Sequence, residues 1–345
     1  MEKIDFILPW VDPTDPVWQY EKKQHEKKYN LDQTDSNSPA RYRDIEILKF
    51  VLRSIEKNCP WFNKIYIITA GHFPIWLDIN SDKLELIKHS DLYFNKSHLP
   101  TFNSNSIEMN LAKLNQISDK FVYMNDDLVI MNPLKESRFF KNNKPVDFLC
   151  HGWMKRGYLF SKIRKIDTFV SSVNNNLHLI NKKMSPRNLS NNLLFDSSYS
   201  LKNKISNFIF LRLLNRYLWL EHWHHPQPYM KKTIIDVYNE FSNEMMECSK
   251  NKFRSMSDLN PYLYRYWALT SGNFYPDKKN DGLVKNISSI DELDKIINTL
   301  SKRNDINFVC FNDSIHLTDT NFLKIKNTLH SFLLSKFPEP SSFEK

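Results

Sequence analysis

Five glycines in 345 residues are too few to build the familiar phosphate cradles. Neither GxGxxG nor a P-loop can be assembled from them, so a glycine-rich nucleotide fingerprint is excluded. No apolar run reaches the roughly 18 residues that a membrane span requires. Cys59, Cys150, Cys248 and Cys310 lie far apart and form no CxxC pair. With no cleavable leader in "MEKIDFILPWVD", the expectation is a reduced, cytoplasmic chain. Solid basic blocks are missing too. The formal charge is +9, yet Lys and Arg are spread along the whole length. That spread points to an anionic substrate or membrane surface at least as much as to nucleic acid. What the chain does have is core: 41% hydrophobic and 14% aromatic residues argue against disorder.

The first 135 residues alternate between two periodicities. "KIDFIL" (3–8) is a short apolar strand that Pro9 should halt, "KIYIIT" (64–69) a second, "KLELIKH" (83–89) a third. Between them, 43–57 place Ile45, Leu48, Leu52 and Ile55 on one helical face. A second helix is expected over 104–117, capped by Ser104 or Asn105, before a strand at 121–124. This alternation predicts an α/β fold: a mostly parallel, Rossmann-like sheet with helices on both faces. Ligands bind such sheets outside the carboxyl ends of the strands. Trp10-Val11-Asp12, Thr69 to His72 and Asn125-Asp126-Asp127 should therefore converge on one rim. From 136 onward a helix-rich second half is expected to pack over that rim. Residues 173–204, rich in Asn, Lys and Ser, suggest a long connection or a mobile insertion. In "ISNFIFLRLLNRYLWL" (205–220), Arg212, Asn215 and Arg216 interrupt an apolar run at helical spacing. That is an amphipathic helix, a core element by preference and an interfacial anchor as the alternative.

Asp126 and Asp127 follow a buried strand, where two adjacent carboxylates repel each other and lose solvation. A hard divalent cation, Mg²⁺ or Mn²⁺, would relieve that cost. The bland alternative is a solvated acidic turn. In "WVDPTDPVW" (10–18), Trp10 could stack on a base, and Asp12 or Asp15 could hold ribose hydroxyls or a metal; turns also favour this composition. "HWHHP" (222–226) lacks the ligand spacing of a structural zinc site, and a histidine that takes a hydroxyl proton fits better. Arg43, Arg53 and Arg254 sit among apolar neighbours, so each needs an anion: an internal carboxylate or a phosphate.

Four motif blocks resemble one family. "IDFILPWVDPTDPVW" (4–18) is similar to its opening block. "RYRDIEILKFVLRSIEKNCPWFNKIYIITAGHFPIWL" (41–77) with "HLPTFNSNSIEMNLAKLNQISDKFVYMNDDLVI" (98–130) matches its longest block almost without gaps. "HHPQPYM" (224–230) with "KFRSMSD" (252–258) and "VCFNDS" (309–314) resemble the third and fourth. The family is Stealth, the sugar-phosphate transferases that include bacterial capsular polysaccharide phosphotransferases. Pro9, Pro13 and Ala70-Gly71-His72 depart from its usual residues.

The resemblance implies transfer of a sugar-1-phosphate from a nucleotide sugar, a UDP-sugar, to a hydroxyl of a glycan or lipid-linked oligosaccharide. A metal-dependent glycosyltransferase that releases a nucleoside diphosphate is the alternative. Asp126 and Asp127 would hold Mg²⁺ or Mn²⁺ on the pyrophosphate. Arg43 and Arg254 would neutralise the phosphoryl oxygens and His224 would take the acceptor proton, with Asp313 beside them. Trp10, Asp12, Asp15, Arg53, Asn103 and Asn125 are expected on the donor, and Asn312, His225 and Asp258 on the acceptor. The expected organisation is a nucleotide-sugar and metal-binding half (1–135), a variable helical insertion (136–223) and a C-terminal part that completes the site (224–345). Nucleic acid is not an expected partner; peripheral contact with the cell membrane is.

Overall fold

The computed structural model describes residues 2–30, 43–155, 160, 166–313 and 317–345, without the side chains of Asp313 and Asp319. Strands β1 (Ile4–Pro9), β2 (Ile65–Thr69), β3 (Leu84–Lys88) and β4 (Lys120–Tyr123) run parallel in the order β3-β2-β1-β4. This is the doubly wound order. β5 (Leu128–Ile130) leaves that sheet, and β6 (Phe140–Lys141) with β7 (Lys144–Asp147) begins a small one. β8 (Gln227–Met230) returns to the main sheet, antiparallel to β4. β9 (Tyr275–Pro276) joins β7, while β10 (Gly282–Ile287) pairs with β11 (Phe308–Asp313), which runs antiparallel to β5. Residues from 227 onward thus complete sheets that the first 150 residues begin.

The helices that matter here are α1 (Pro16–Lys28), α2 (Leu48–Asn58), α3 (Ser104–Glu108), α4 (Thr168–Lys183), α5 (Leu201–Asn207), α6 (Lys231–Ser249), α7 (Tyr262–Thr270), α8 (Ile290–Lys302) and α9 (Asp319–Lys336). Alternation along the strands sorts them. Phe6, Leu8, Ile65, Ile67 and Val122 face α2, α8, α9 and the β10-β11-β5 sheet. Ile7, Tyr66, Ile68, Phe121 and Tyr123 face α4, α6 and α7. Both faces of the central strands are covered, which is why their sequences read as nearly continuous apolar runs. The expected α/β class, with its helix-rich second half, is the observed one.

Local boundaries differ from expectation for identifiable reasons. β1 continues through Pro9 because the Trp10 N–H donates to the Ile68 carbonyl at 2.8 Å, which keeps the strands paired. The helix expected from 43 begins only at Leu48. Glu46 adopts a left-handed backbone (φ 57°), and its N–H donates to the Asp44 carboxylate, a local bond that competes with helix. The helix expected over 104–117 stops at Glu108. The Asn110 side-chain amide donates to the Ser106 carbonyl at 2.8 Å, the bond a helical backbone N–H would have made. Its cap is Asn103, whose side chain accepts from the Asn105 N–H at 3.1 Å. Each early stop leaves polar residues beside the sheet rim.

Candidate functional site

A cavity of about 950 Å³ opens at the carboxyl ends of the parallel strands. Trp10 reaches it from the end of β1 and Asn125, Asp126 and Asp127 from the end of β4. β8 runs antiparallel, so the residues before it, His224 and His225, meet the same rim. Asn312 arrives from β11, Arg43 and Asp44 from the turn before α2, and Arg254 from the loop after α6.

The two aspartates differ in environment. Burial raises the Asp126 carboxyl well above the ordinary range, and the charges of Asp44 and Asp127 push it further. Burial also pushes on Asp127, but His224 and the Cys310 thiol outweigh it and hold this carboxyl below the usual value. Asp127 Oδ2 accepts from Cys310 Sγ at 3.3 Å. Its Oδ1 is buried with no hydrogen-bond partner among the described residues and lies 3.9 Å from His224 Nε2. That separation suits an ion pair and is too long for a hydrogen bond. Asn125 Nδ2 lies 3.3 Å from the same ring nitrogen. Burial lowers the His224 pKa, but Asp127 more than offsets this, and the imidazole holds its proton more tightly than usual.

A buried, unpartnered carboxylate oxygen is costly unless something positive completes it. Asp127, His224 and Cys310 offer ligand atoms all within 4.8 Å of one another. With Asp126 and Asp44 adjacent, the donor set fits a divalent cation. The spacing of the His cluster, which argued only against a structural zinc, could not show Cys310 arriving beside His224 from another strand.

The guanidinium groups supply the opposite charge. Arg254 donates to Ser104 Oγ at 3.0 Å. Arg43 donates to the Leu317 carbonyl at 3.0 Å, its guanidinium 5.0 Å from the Phe322 ring centre. Trp10 is buried in the wall, its Nε1–H donating to Asp44 Oδ2 at 3.2 Å and its ring edge-on to His72.

Other expected site residues lie elsewhere or are already engaged. Arg53 is away from the cavity, locked in a two-pronged ion pair with Glu344 at 2.7 Å per bond; its anion is internal. Asp12 accepts from Thr14 within its own turn, and Asp15 caps α1 by accepting from the Trp18 N–H. His72 Nε2 accepts from the Asp12 N–H at 2.8 Å, so these turns do meet at the rim, but as structure. Asp258 is fully buried and accepts from Asn103, Asn105, Asn251 and the Ser255 N–H. It fixes the loop that carries Arg254 instead of facing an acceptor. Asn103 lines the cavity but spends its amide on that same carboxylate. His225 Nδ1 lies 2.8 Å from the Pro226 carbonyl, and burial pushes its pKa down to about 4, with Arg138 adding to the shift. Asp313 ends β11; its side chain lies outside the described residues, as do Arg41, Tyr42 and Ser314 of the motif blocks.

Three residues escaped the sequence reading. Asp44 was hidden inside an assumed helix. Glu108 also lines the cavity, where Tyr123 donates to it at 2.7 Å and burial raises its carboxyl to about 7. Cys310 carried no signal in its spacing, only its place in the last motif block.

The fold and this rim define a doubly wound α/β protein with a charged ligand cavity. Models of Stealth protein conserved regions 1, 2 and 4 match residues 2–30, 41–148 and 298–345. The chain is 40% identical to the capsular polysaccharide phosphotransferase WcwK of Streptococcus pneumoniae, over 100% of this chain and 99% of that one. It is 30% identical to the receptor polysaccharide phosphotransferase WefC of Streptococcus oralis, over 100% of both. Among solved structures, the galactosyltransferase LgtC with donor and acceptor sugar analogues aligns over 94% of this chain and 95% of that one. Its identity is 10% and its TM-score 0.39. The chain belongs to the Stealth family and is a transferase acting on phosphate groups.

Proposed function

We propose that this enzyme moves a hexose-1-phosphate, specifically an N-acetylhexosamine-1-phosphate, from a UDP-sugar to a hydroxyl of a glycan acceptor. The product is a phosphodiester in a capsular or exopolysaccharide, and the leaving group is UMP. The relatives named as capsular and exopolysaccharide phosphotransferases support the substrate class. The observation that carries the chemistry is the unpartnered Asp127 Oδ1 facing His224 in a cavity that also holds Arg43 and Arg254.

Attack by the acceptor oxygen forms a new bond to the sugar-bearing phosphorus, and the bond from that phosphorus to the bridging oxygen of UMP breaks. The C1–O bond of the sugar survives, so the protein's task is to place groups and balance charge. His224 Nε2 is turned toward Asp127 and Asn125, while its Nδ1 has no hydrogen-bond partner among the described residues and would take the acceptor proton. The ion-pair partner at Nε2 orients the ring and stabilises the imidazolium that forms when the neutral ring takes that proton at Nδ1. Arg43 and Arg254 would neutralise the phosphoryl oxygens, and Asn312 would contact the acceptor. Trp10 would contact the nucleotide through whatever edge the wall leaves open. Mg²⁺ or Mn²⁺, held by Asp126 and Asp127, would offset the charge of the diphosphate when bound. On this reading the enzyme works in the cytoplasm, peripheral to a membrane that carries a lipid-linked acceptor.

Incubating the protein with a panel of UDP-sugars, a divalent cation and glycan acceptors tests the proposal. Phosphorus NMR of the product should show a phosphodiester, with UMP released. Release of UDP with a plain glycosidic bond would make the enzyme a glycosyltransferase.

A further inference from the structure

The segment 201–214 is built inside out. Its asparagines are buried and its large apolar residues face water. Asn207 is fully buried, donating to the Leu149 and Leu194 carbonyls at 2.8 and 2.7 Å and accepting from the His151 N–H at 2.7 Å. Asn203 is buried against Glu221 and Lys278. Outside, Leu201 is 74% exposed, Ile205 52%, Phe208 51%, Leu213 60% and Leu214 55%. Of the apolar residues in α5 and the following turn, Leu211 is the one fully buried.

The backbone holds this arrangement. After α5 the chain continues as a π-turn, Phe208–Leu213, with the Leu214 N–H donating to the Ile209 carbonyl at 3.0 Å. Bonding to the fifth residue back widens the turn, which returns Leu213 toward the Phe208 face; α-helical spacing would carry it away. Arg212 does not join the outer face. It donates to the Leu189 carbonyl at 2.7 Å and to Asn191 Oδ1 at 2.6 Å, pinning the turn from within. Phe210 stacks on His151 at 4.0 Å between ring centres. The core expectation for 205–220 therefore holds in part: Leu211, Tyr217, Trp219 and Leu220 join the core, the outer face of 205–214 does not, and Arg212 turns inward.

Exposing five large apolar side chains on a pinned surface is unfavourable in water, and a contiguous apolar patch marks a contact site. Charge identifies the occupant. From residue 197 to 220 the chain carries Lys202, Lys204, Arg212 and Arg216 and no acidic residue. Lys202 and Arg216 are exposed beside the patch. A second copy of this face would set these cations against their own kind. An anionic bilayer would receive the apolar residues and pair with the cations. Trp153, 79% exposed, follows His151 and Gly152 out of the same region and is a residue type favoured at the bilayer interface. We propose that Leu201, Ile205, Phe208, Leu213 and Leu214, flanked by Lys202 and Arg216, form a docking surface for an anionic lipid membrane. The same stretch of chain runs on to His224 at the cavity rim.

Vesicle flotation tests this without substrate, so its failure leaves the transfer reading standing. The purified chain should float with phosphatidylglycerol-containing vesicles at low salt and float less with pure phosphatidylcholine. Phe208→Asp combined with Leu213→Asp should weaken partitioning at least tenfold while circular dichroism and melting stay unchanged. Lys202→Glu combined with Arg216→Glu should abolish the preference for anionic lipid, and it reads the same surface should the first pair misfold. The proposal is overturned if the wild-type chain ignores anionic vesicles at low salt. It is equally overturned if the apolar pair leaves flotation intact but converts a dimer to a monomer in sedimentation, which would make the face a self-interface.

Discussion

Asp127 Oδ1 lies 3.9 Å from His224 Nε2, buried and without a hydrogen-bond partner among the described residues. The carboxylate is fixed from behind, its Oδ2 held by the Cys310 thiol and its backbone carbonyl by the Phe311 N–H at 3.1 Å. Asp127→Asn keeps the shape and removes the charge. Turnover should fall on the order of 10³-fold, as loss of a cation-binding charge does. Manganese binding, followed by electron paramagnetic resonance, should weaken in parallel. Unchanged manganese affinity together with near-normal turnover would refute the assignment.

The neighbouring histidines should separate cleanly. His224 faces Asp127, whereas His225 turns Nδ1 toward the Pro226 carbonyl and lies between Trp223 and Phe308. His224→Ala should lower kcat by about 10²–10⁴-fold, the usual contribution of a general base, with little change in donor KM. His225→Ala should cost stability before activity. A dead but fully stable His225→Ala enzyme, with His224→Ala active, would reverse the two roles.

Arg254 makes a hydrogen bond to Ser104 Oγ and keeps the rest of its fork in the cavity. Because a planar fork meets two phosphoryl oxygens at once, Arg254→Lys should retain the charge but lose most of the rate, about 10²-fold or more. Ser104→Ala should be milder, since it only loosens the guanidinium. Steady-state kinetics on both variants checks this; a lysine enzyme at wild-type kcat and KM would remove Arg254 from the chemistry.

The contrast between Asp126 and Asp44 explains how much of this was legible in the sequence. Asp126 announces itself because two acids follow a short, continuous apolar run, the local signal of a fully buried strand. Asp44 sits in a stretch whose Ile45, Leu48, Leu52 and Ile55 satisfy helical spacing, yet its own side chain and the left-handed Glu46 break the helix. Local polar bonds defeat periodicity there, as Asn110 does at the end of α3. Cys310 and His224 meet Asp127 only through β11 and β8, pairings between segments about 100 to 180 residues apart that no local pattern encodes. Arg53 was ambiguous for a different reason: a buried guanidinium demands an anion, and sequence alone does not say whose.

Arg53 now gives the sharpest test of structure against site. Its Nε and a terminal nitrogen donate to the two Glu344 oxygens at 2.7 Å, and another nitrogen donates to the Phe337 carbonyl, tying α2 to the C-terminal segment. Both side chains are more than nine-tenths buried. Arg53→Ala leaves the Glu344 carboxylate only Ser341 and, at 3.8 Å, Lys49, and should cost about 3 kcal/mol of stability. Donor KM, measured well below the melting transition, should not move. The pH dependence has a definite sign. Burial raises the Glu344 carboxyl, but Arg53 and the Ser341 N–H outweigh it, so the folded pKa lies below the ordinary value. A depressed carboxyl contributes stability that is present above the unfolded pKa, about 4.3 for Glu, and fades as pH falls through the folded value. Urea midpoints of the wild type should therefore drop as pH falls below about 4.3, and part of that slope should vanish in Glu344→Gln. A wild-type acid slope fully retained in Glu344→Gln, or a raised donor KM in a stable Arg53→Ala enzyme, would return Arg53 to the binding site.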